Sequence, residues 1–157
     1  MTGTFTPPGS SFTAVPKSPL TGTWGNSRAG GYFGAELKST GFDAVFCYGR
    51  ASNPVYLSIN DGKVEIKDEF GGRHLETESI LREKFDDERI QVVSIGPSGK
   101  KLSLMSCIIT DKGRAAGRSG LGALTGSKNL KTVAVRGTMQ VPLFSHQKSD
   151  GAQKKVY

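Results

Sequence analysis

A β-hairpin is predicted by the stretch VYLSINDGKVEIK at residues 55–67. Its first half is apolar and aromatic, whereas its second half alternates charged and apolar side chains. The Asp61-Gly62 dipeptide between them favours a tight turn, because both residue types tolerate a positive φ. We therefore expect two antiparallel strands joined at this point of the chain.

Outward from the hairpin, apolar runs predict further strands at residues 42–48, 91–95, 102–110 and 131–136. Short helices are predicted at residues 35–38, 77–85 and 120–128. We expect Gly41 to close the first helix and Thr77 to cap the second, with Ile80, Leu81 and Phe85 on its apolar face.

The 157 residues are enough for one domain of ordinary size. Residues 1–22 are rich in Gly, Pro, Ser and Thr and predict a loop, and the polar residues 147–155 predict a disordered tail. No apolar run approaches the roughly 20 residues of a membrane span, and no signal peptide is visible. The predicted fold class is α+β, a mostly antiparallel sheet with short helices and glycine-rich loops.

Two glycine-rich segments carry the functional signal. GRAAGRSGLG at residues 113–122 holds four glycines and two arginines, and GNSRAGGYFG at residues 25–34 is similarly glycine-rich. Glycine permits sharp bends and a close approach of the backbone to a ligand, and arginine pairs well with phosphate. These segments predict the binding of an anion, with phosphate as the leading candidate.

The net charge of +7 is unevenly distributed. Residues 59–90 hold ten acidic and six basic side chains, whereas residues 111–137 hold six basic side chains and one acidic one. A local excess of positive charge attracts anions. We expect this basic charge to favour an anionic ligand at the second glycine-rich segment.

Common nucleotide-binding motifs fit poorly. Gly96-Pro97-Ser98-Gly99-Lys100 lacks the first glycine of a P-loop, and we expect a turn between strands there. In a dinucleotide fingerprint beginning at Gly120, the third glycine would come one position late, at Gly126. Residues 111–137 contain no aromatic side chain, which argues against a stacking surface for nucleic acid.

The histidines and cysteines indicate no metal site. His74 and His146 are isolated in sequence, and we expect both on the surface. Cys47 and Cys107 lie in apolar runs, and we expect two buried, reduced thiols. Two cysteines are too few for an iron–sulfur cluster, which usually takes four.

Six blocks in this order resemble the N-terminal domain of the aldehyde:ferredoxin oxidoreductase family of tungsten- or molybdenum-dependent pterin enzymes. They are KSPLTG at 17–22, GGYFGAELK at 30–38, PVY at 54–56, IGP at 95–97, DKGRAAGR at 111–118 and GSKNLK at 126–131. The resemblance runs from about Lys17 to Thr138.

The resemblance implies a function. Family members oxidise aldehydes to carboxylic acids with water and pass electrons through a [4Fe–4S] cluster to ferredoxin. Their tungsten or molybdenum is held by two pterins, whose phosphates are joined by a magnesium ion. The N-terminal domain is a β-rich base beneath this cofactor, and its two glycine-rich loops meet the pterins and phosphates.

The resemblance also implies binding residues. Arg114 would contact a pterin or phosphate, and Ala115, Ala116 and Gly117 would contribute backbone contacts. Gly30 would pass close to the cofactor. The backbone carbonyls of Ala115 and Arg28 would be magnesium ligands, although many family members carry asparagine at the position of Arg28. No catalytic residue is implied within this chain.

The organisation implied is a partial cofactor-binding domain at residues 1–138 and a divergent tail at residues 139–157. The cluster cysteines and the substrate channel would lie elsewhere, for example on a separate chain. We therefore expect a cytoplasmic protein that is inactive alone. An alternative hypothesis is a basic module without redox chemistry that binds phosphate-bearing ligands or nucleic acid.

Overall fold

The computed structural model describes residues 10–68, 74–111 and 113–141. These ranges contain eight β-strands, which are β1 (Ser11–Ala14), β2 (Ser27–Gly30), β3 (Val55–Asn60), β4 (Lys63–Asp68), β5 (Gln91–Ile95), β6 (Ile108–Thr110), β7 (Arg114–Ala116) and β8 (Leu130–Arg136). They also contain four helices, which are α1 (Phe33–Ser39), α2 (His74–Phe85), α3 (Pro97–Lys100) and α4 (Leu121–Ser127).

The main sheet has the strand order β4-β3-β8-β5-β6-β7, and β1 and β2 form a separate two-stranded sheet. Only β3 and β8 pair in parallel among the described strands. The predicted α+β class with a mostly antiparallel sheet is therefore confirmed. No described helix has the length and apolar character needed to cross a membrane.

The predicted hairpin is formed by β3 and β4, with Asn60 opposite Lys63. Its two turn residues, Asp61 and Gly62, have φ angles of 43° and 82°. Two successive positive φ angles are typical of the two-residue turn whose twist matches that of antiparallel strands.

The central strands of the main sheet are buried on both faces, whereas the edge strand β4 exposes Val64 and Ile66. On one face, Leu57, Ile59, Val93 and Val135 pack with side chains of α1. On the other, side chains that include Tyr56, Val92 and Ala134 pack against α2 through the fully buried Leu81. Alternate residues of β3, β5 and β8 thus serve opposite cores, as the two-residue period of a strand requires.

Several local predictions are confirmed. Helix α1 is followed by Gly41 with a φ of 93°, the left-handed residue that commonly ends a helix. Helix α4 and strands β5 and β8 lie within one or two residues of their predicted limits. Helix α2 forms, but it begins at His74, so Thr77 is a buried residue inside the helix and not its cap.

The strand predicted at residues 42–48 is wrong. This segment has no regular structure, and Phe46 and Tyr48 are 78% and 89% exposed. The segment after it is tied to the end of α4: Lys128 Nζ donates to the carbonyl of Gly49, and the amide of Ala51 donates to the carbonyl of Lys128. Phe42 packs against the core, but residues 43–48 are exposed, and the prediction of a buried Cys47 is also wrong because that thiol is exposed. Cys107 is partly buried.

The strand predicted at residues 102–110 is much shorter, since only Ile108–Thr110 pairs. Pro97 begins a single helical turn, α3, where a simple turn between strands was expected. Leu102 then adopts a φ of 58°, and Met105 is 90% exposed. The helical turn and the bend at Leu102 delay the start of β6.

The predictions for the chain ends have mixed outcomes. Strand β1 lies within the region expected to be loop, so that prediction is wrong for residues 11–14. The predicted tail at residues 147–155, and His146, lie outside the described residues.

Candidate functional site

The two glycine-rich segments lie side by side. Ser18 Oγ donates to the carbonyl of Ser119 at 3.0 Å, and the amide of Arg118 donates to Ser27 Oγ at 3.0 Å. A β-carbon on Gly25 would lie 2.8 Å from the β-carbon of Ser119. Segments separated by about ninety positions in sequence therefore form one continuous surface.

A small apolar core supports this surface from beneath. Ala29 of β2, Ala116 of β7 and Leu121 of α4 are each at most 4% exposed and pack together. Because alternate residues of a strand face opposite sides, the flanking Arg28 and Ala115 are directed outward and are exposed. The core thus places Arg28 and Ala115 on the outward face of β2 and β7.

Three exposed arginines occur on the described part of these segments: Arg28, Arg114 and Arg118. Arg28 Nε donates to Ser11 Oγ at 2.8 Å. The side chain of Arg114 is 61% exposed, and its Nη1 would lie 3.5 Å from a β-carbon built on Gly30. The guanidinium of Arg114 therefore lies against the backbone of the first glycine-rich segment.

The bend at Gly31 requires glycine. Its φ is 117°, and a β-carbon there would lie 1.8 Å from Oδ2 of Asp111. That same carboxylate oxygen accepts the amide hydrogen of Tyr32 at 2.9 Å and lies 3.7 Å from Nε of Arg114. Asp111 thus contacts both glycine-rich segments.

The structure brings together the residues that the family resemblance implied. Arg28 and Gly30 lie on β2, and Arg114, Ala115 and Ala116 lie on β7, which packs beside β2. Gly117 follows β7 and is exposed. Ala116 is fully buried, so only its backbone is suited to the contact predicted for it. The roles of these six residues stay predictions.

The sequence did not predict that Asp111, Ser10 and Ser11 contact the candidate site. Ser10 Oγ donates to the carbonyl of Gly31, and Ser11 accepts from Arg28, so β1 and the residue before it border the site. The pattern Asp111-Lys112-Gly113-Arg114, an aspartate three residues before an arginine at a turn, was the available signal.

The basic charge of residues 111–137 is divided between the site and other places. Arg114 and Arg118 lie at the site, whereas Lys128 donates to the carbonyl of Gly49 and Lys131 is 2% exposed. Arg136 is engaged elsewhere, with Asp87 Oδ2 2.6 Å from its Nε and Glu36 Oε1 3.0 Å from its Nη1. The expectation that all of this basic charge favours one anionic ligand is therefore wrong for Lys128, Lys131 and Arg136.

The Arg136 ion pair predicts a pH dependence of stability. The guanidinium of Arg136, helped by the backbone amide of Arg89, lowers the pKa of Asp87 from 3.8 to about 2. Because the folded-state pKa is the lower one, this stabilisation is full above about pH 5 and is lost as the pH falls towards 2. Allowing for solvent screening, we expect a loss of about 1 kcal/mol.

Urea unfolding of the wild type and of Asp87→Asn between pH 7 and pH 2 tests this. The difference in unfolding free energy between the two proteins should shrink as the pH falls below about 5. A constant difference over that range would show that Asp87 has no lowered pKa.

The described residues contain no group of three or more His, Cys, Asp or Glu side chains that could hold a metal ion. Arginine guanidinium groups and backbone atoms dominate the site instead. This chemistry suits an anionic, phosphate-bearing ligand.

Comparison with known proteins finds close similarity to one family. A sequence profile described as "Aldehyde ferredoxin oxidoreductase, N-terminal domain" matches residues 1–137. The "Tungsten-containing aldehyde ferredoxin oxidoreductase" of Pyrococcus furiosus is 46% identical over 151 residues, covering 94% of this chain and 25% of the relative. The protein of the same name from Thermococcus kodakarensis is 43% identical, with the same coverage of both proteins.

Two further relatives are less similar in sequence. The "Aliphatic sulfonate oxidoreductase, WOR-like subunit" of Pyrococcus furiosus is 33% identical and covers 86% of this chain and 24% of the relative. The solved structure titled "Active site complex BamBC of Benzoyl Coenzyme A reductase in complex with 1,5 Dienoyl-CoA" superposes with a TM-score of 0.92 at 32% identity. The superposition covers 99% of this chain and 24% of the chain in the solved structure. The 157 residues thus span about a quarter of the length of these relatives.

Proposed function

Since the chain belongs to the aldehyde ferredoxin oxidoreductase family and matches its N-terminal domain, we propose that its two glycine-rich segments form the protein base for a tungsten or molybdenum bis-pterin cofactor. The observation that carries this proposal is the meeting of the segments, with Arg114 lying against Gly30. The proposed binding domain is residues 1–138.

The residues fit such a group. A β-carbon at Gly117 would meet nothing within 4 Å, so a planar or phosphate-bearing ligand can approach the backbone closely there, whereas the corresponding volume at Gly31 is filled by the Asp111 carboxylate. The exposed guanidinium of Arg114 offers planar, paired donors for phosphate oxygens. Ala115 and Gly117 present exposed backbone beside it, and Arg28 occupies the facing strand.

A magnesium ion between the pterin phosphates would take its protein ligands from the backbone carbonyls of Arg28 and Ala115 in this proposal. Hard divalent cations prefer oxygen ligands, and backbone carbonyls supply them whatever the side chain is. An arginine at position 28 therefore remains compatible with this role.

When bound, the metal–pterin group supplies the two-electron redox chemistry. The chain's own residues bind and orient it: arginines neutralise phosphate charge, and glycines allow close backbone contact. The proposed substrate class is aldehydes, because this chain is 46% identical to aldehyde oxidoreductases but only 33% and 32% identical to relatives named for a sulfonate and for a coenzyme A thioester.

Electron transfer to ferredoxin through a [4Fe–4S] cluster requires residues beyond these 157. The chain has two cysteines, an exposed Cys47 and a partly buried Cys107, whereas such a cluster usually takes four. We propose that residues outside these 157 supply the cluster ligands and the catalytic groups. In this proposal, the chain alone does not turn over substrate.

Replacement of Arg114 tests the proposed site, with inorganic pyrophosphate as a probe for the cofactor phosphates. We expect Arg114→Met to weaken pyrophosphate binding by about 5- to 10-fold, because it removes one charge-assisted contact at an exposed site. Isothermal titration calorimetry of the full chain, with and without Mg²⁺, measures the change.

Arg50→Met is the matched control, since Arg50 is also exposed but lies on the irregular segment before β3. It should leave pyrophosphate affinity within about 2-fold, as expected for a charge outside the site. Equal losses in both variants would indicate attraction by net charge, and unchanged binding in Arg114→Met would contradict the proposed site. Preferential binding of a single-stranded RNA oligonucleotide over pyrophosphate would favour a nucleic-acid module instead.

A further inference from the structure

Asp111 lies between the two glycine-rich segments, in the turn after β6. It adopts a φ of 47°, and its side chain is 13% exposed. A carboxylate beside an anion site is unexpected on charge grounds alone, because it would repel the anion. Its contacts give the reason for its presence.

The two oxygens of Asp111 have different partners. Oδ2 accepts the amide hydrogen of Tyr32 at 2.9 Å and lies 3.7 Å from Nε of Arg114. Oδ1 accepts a hydrogen bond from Thr110 Oγ1 at 3.3 Å, which restricts rotation of the carboxylate. The Asp111 side chain therefore contacts Tyr32 in the first glycine-rich segment and Arg114 in the second.

Gly31 makes this arrangement possible. Any β-carbon at position 31 would lie 1.8 Å from Asp111 Oδ2 and 3.1 Å from Cδ of Arg114. The aspartate, the arginine stem and the bend thus occupy adjoining space.

We propose that Asp111 is a positioning residue that holds the Arg114 guanidinium and the Gly31–Tyr32 bend in one arrangement before the ligand binds. An exposed arginine otherwise samples many rotamers, and ordering it on binding weakens the affinity. Orientation by Asp111 outweighs its repulsion of the anion. The anion-binding part of this inference rests on the proposed function, whereas the ordering part does not.

Replacement by asparagine separates charge from position. The amide side chain in Asp111→Asn can still accept the Tyr32 amide hydrogen and tolerates the positive φ, but it lacks the charge that holds Arg114. If Asp111 were only a negative charge near the site, Asp111→Asn would tighten pyrophosphate binding. The positioning role predicts the opposite sign, a loss of about 3- to 10-fold in the absence of Mg²⁺.

NMR of the ¹⁵N-labelled full chain tests the ordering without any ligand. In Asp111→Asn, we expect the heteronuclear NOE of Arg114 Nε to fall and hydrogen exchange at the Tyr32 amide to change by less than about 3-fold. In Asp111→Ala, which removes the acceptor as well, exchange at Tyr32 should accelerate by about 10-fold or more. Thermal unfolding of both variants reports whether they fold.

Asp61→Asn is the matched control. Asp61 also has a positive φ at a turn and accepts a backbone amide hydrogen, that of Thr138, far from Arg114 in the fold. It should change neither the Arg114 signal nor pyrophosphate affinity.

The outcomes separate the two proposals. An unchanged Arg114 signal in Asp111→Asn, or tighter pyrophosphate binding, would overturn the positioning role while leaving the proposed function intact. A changed Arg114 signal together with wild-type protein that does not bind pyrophosphate would support the positioning role and count against the proposed function.

Discussion

Gly126→Ala is expected to destabilise the domain by about 2–4 kcal/mol, even though alanine is the better helix former. A β-carbon at position 126 would lie 2.1 Å from the carbonyl oxygen of Gly99 and 2.8 Å from its carbonyl carbon. These are backbone atoms of α3, so no side-chain rotation relieves the overlap. Helices α3 and α4 must move apart instead.

The magnitude follows from two opposing effects. Alanine inside a helix gains up to about 1 kcal/mol over glycine. Separating two packed backbones costs more, because the close approach of Gly99 to Gly122, whose carbonyl oxygen would lie 3.0 Å from a β-carbon on Gly99, is lost as well. Since Gly126 is not among the described glycines with a positive φ, the change isolates packing from backbone strain.

Urea unfolding followed by circular dichroism measures the change, with Gly96→Ala as the matched control. Gly96 also has an ordinary φ, −83°, and a β-carbon there would meet nothing within 4 Å. We expect Gly96→Ala to change the unfolding free energy by at most about 1 kcal/mol. If Gly126→Ala were as stable as the wild type, the close packing of α3 on α4 would be disproved.

Local sequence signals predicted those parts of the fold that depend on neighbouring residues. The Asp61-Gly62 turn and the alternation in β4 specify the hairpin without help from the rest of the chain. The run at residues 42–48 has strand composition, but a strand also needs an adjacent edge. That requirement depends on where distant strands lie, and here the hydrogen bonds of the following residues go to the end of α4.

The candidate site divides in the same way. Glycine and arginine content identified both segments, because backbone freedom and charge are properties of single residues. The contact from Asp111 to the Tyr32 amide spans 79 positions, and no local pattern encodes it. For Arg136 the sequence-based prediction was wrong in the opposite way. Its charge was expected to favour an anionic ligand, whereas the fold pairs it with Glu36 and Asp87.

Arg136→Met is expected to destabilise the domain by about 2–4 kcal/mol, the second large effect. The side chain is 11% exposed and pairs with Asp87 and with Glu36, whose side chains are 24% and 19% exposed. It also donates to the carbonyl of Gly137, and Glu36 in turn accepts the amide hydrogen of Gly137 at 2.9 Å. Methionine fills similar volume but leaves the carboxylate of Glu36 without its cation and that of Asp87 with only the exposed Arg89. The unfolding free energy in urea at pH 7 measures the loss.

Arg89→Met is the matched control, because Arg89 pairs with the same Asp87 but is 75% exposed. We expect it to cost less than about 0.5 kcal/mol, as surface pairs do. Adding Glu36→Gln and Asp87→Asn to Arg136→Met should recover part of the stability, since no uncompensated charge remains. Equal losses for Arg89→Met and Arg136→Met would show that burial of the Arg136 pairs adds nothing. No recovery in the triple variant would show that the cost comes from packing and not from unpaired carboxylates.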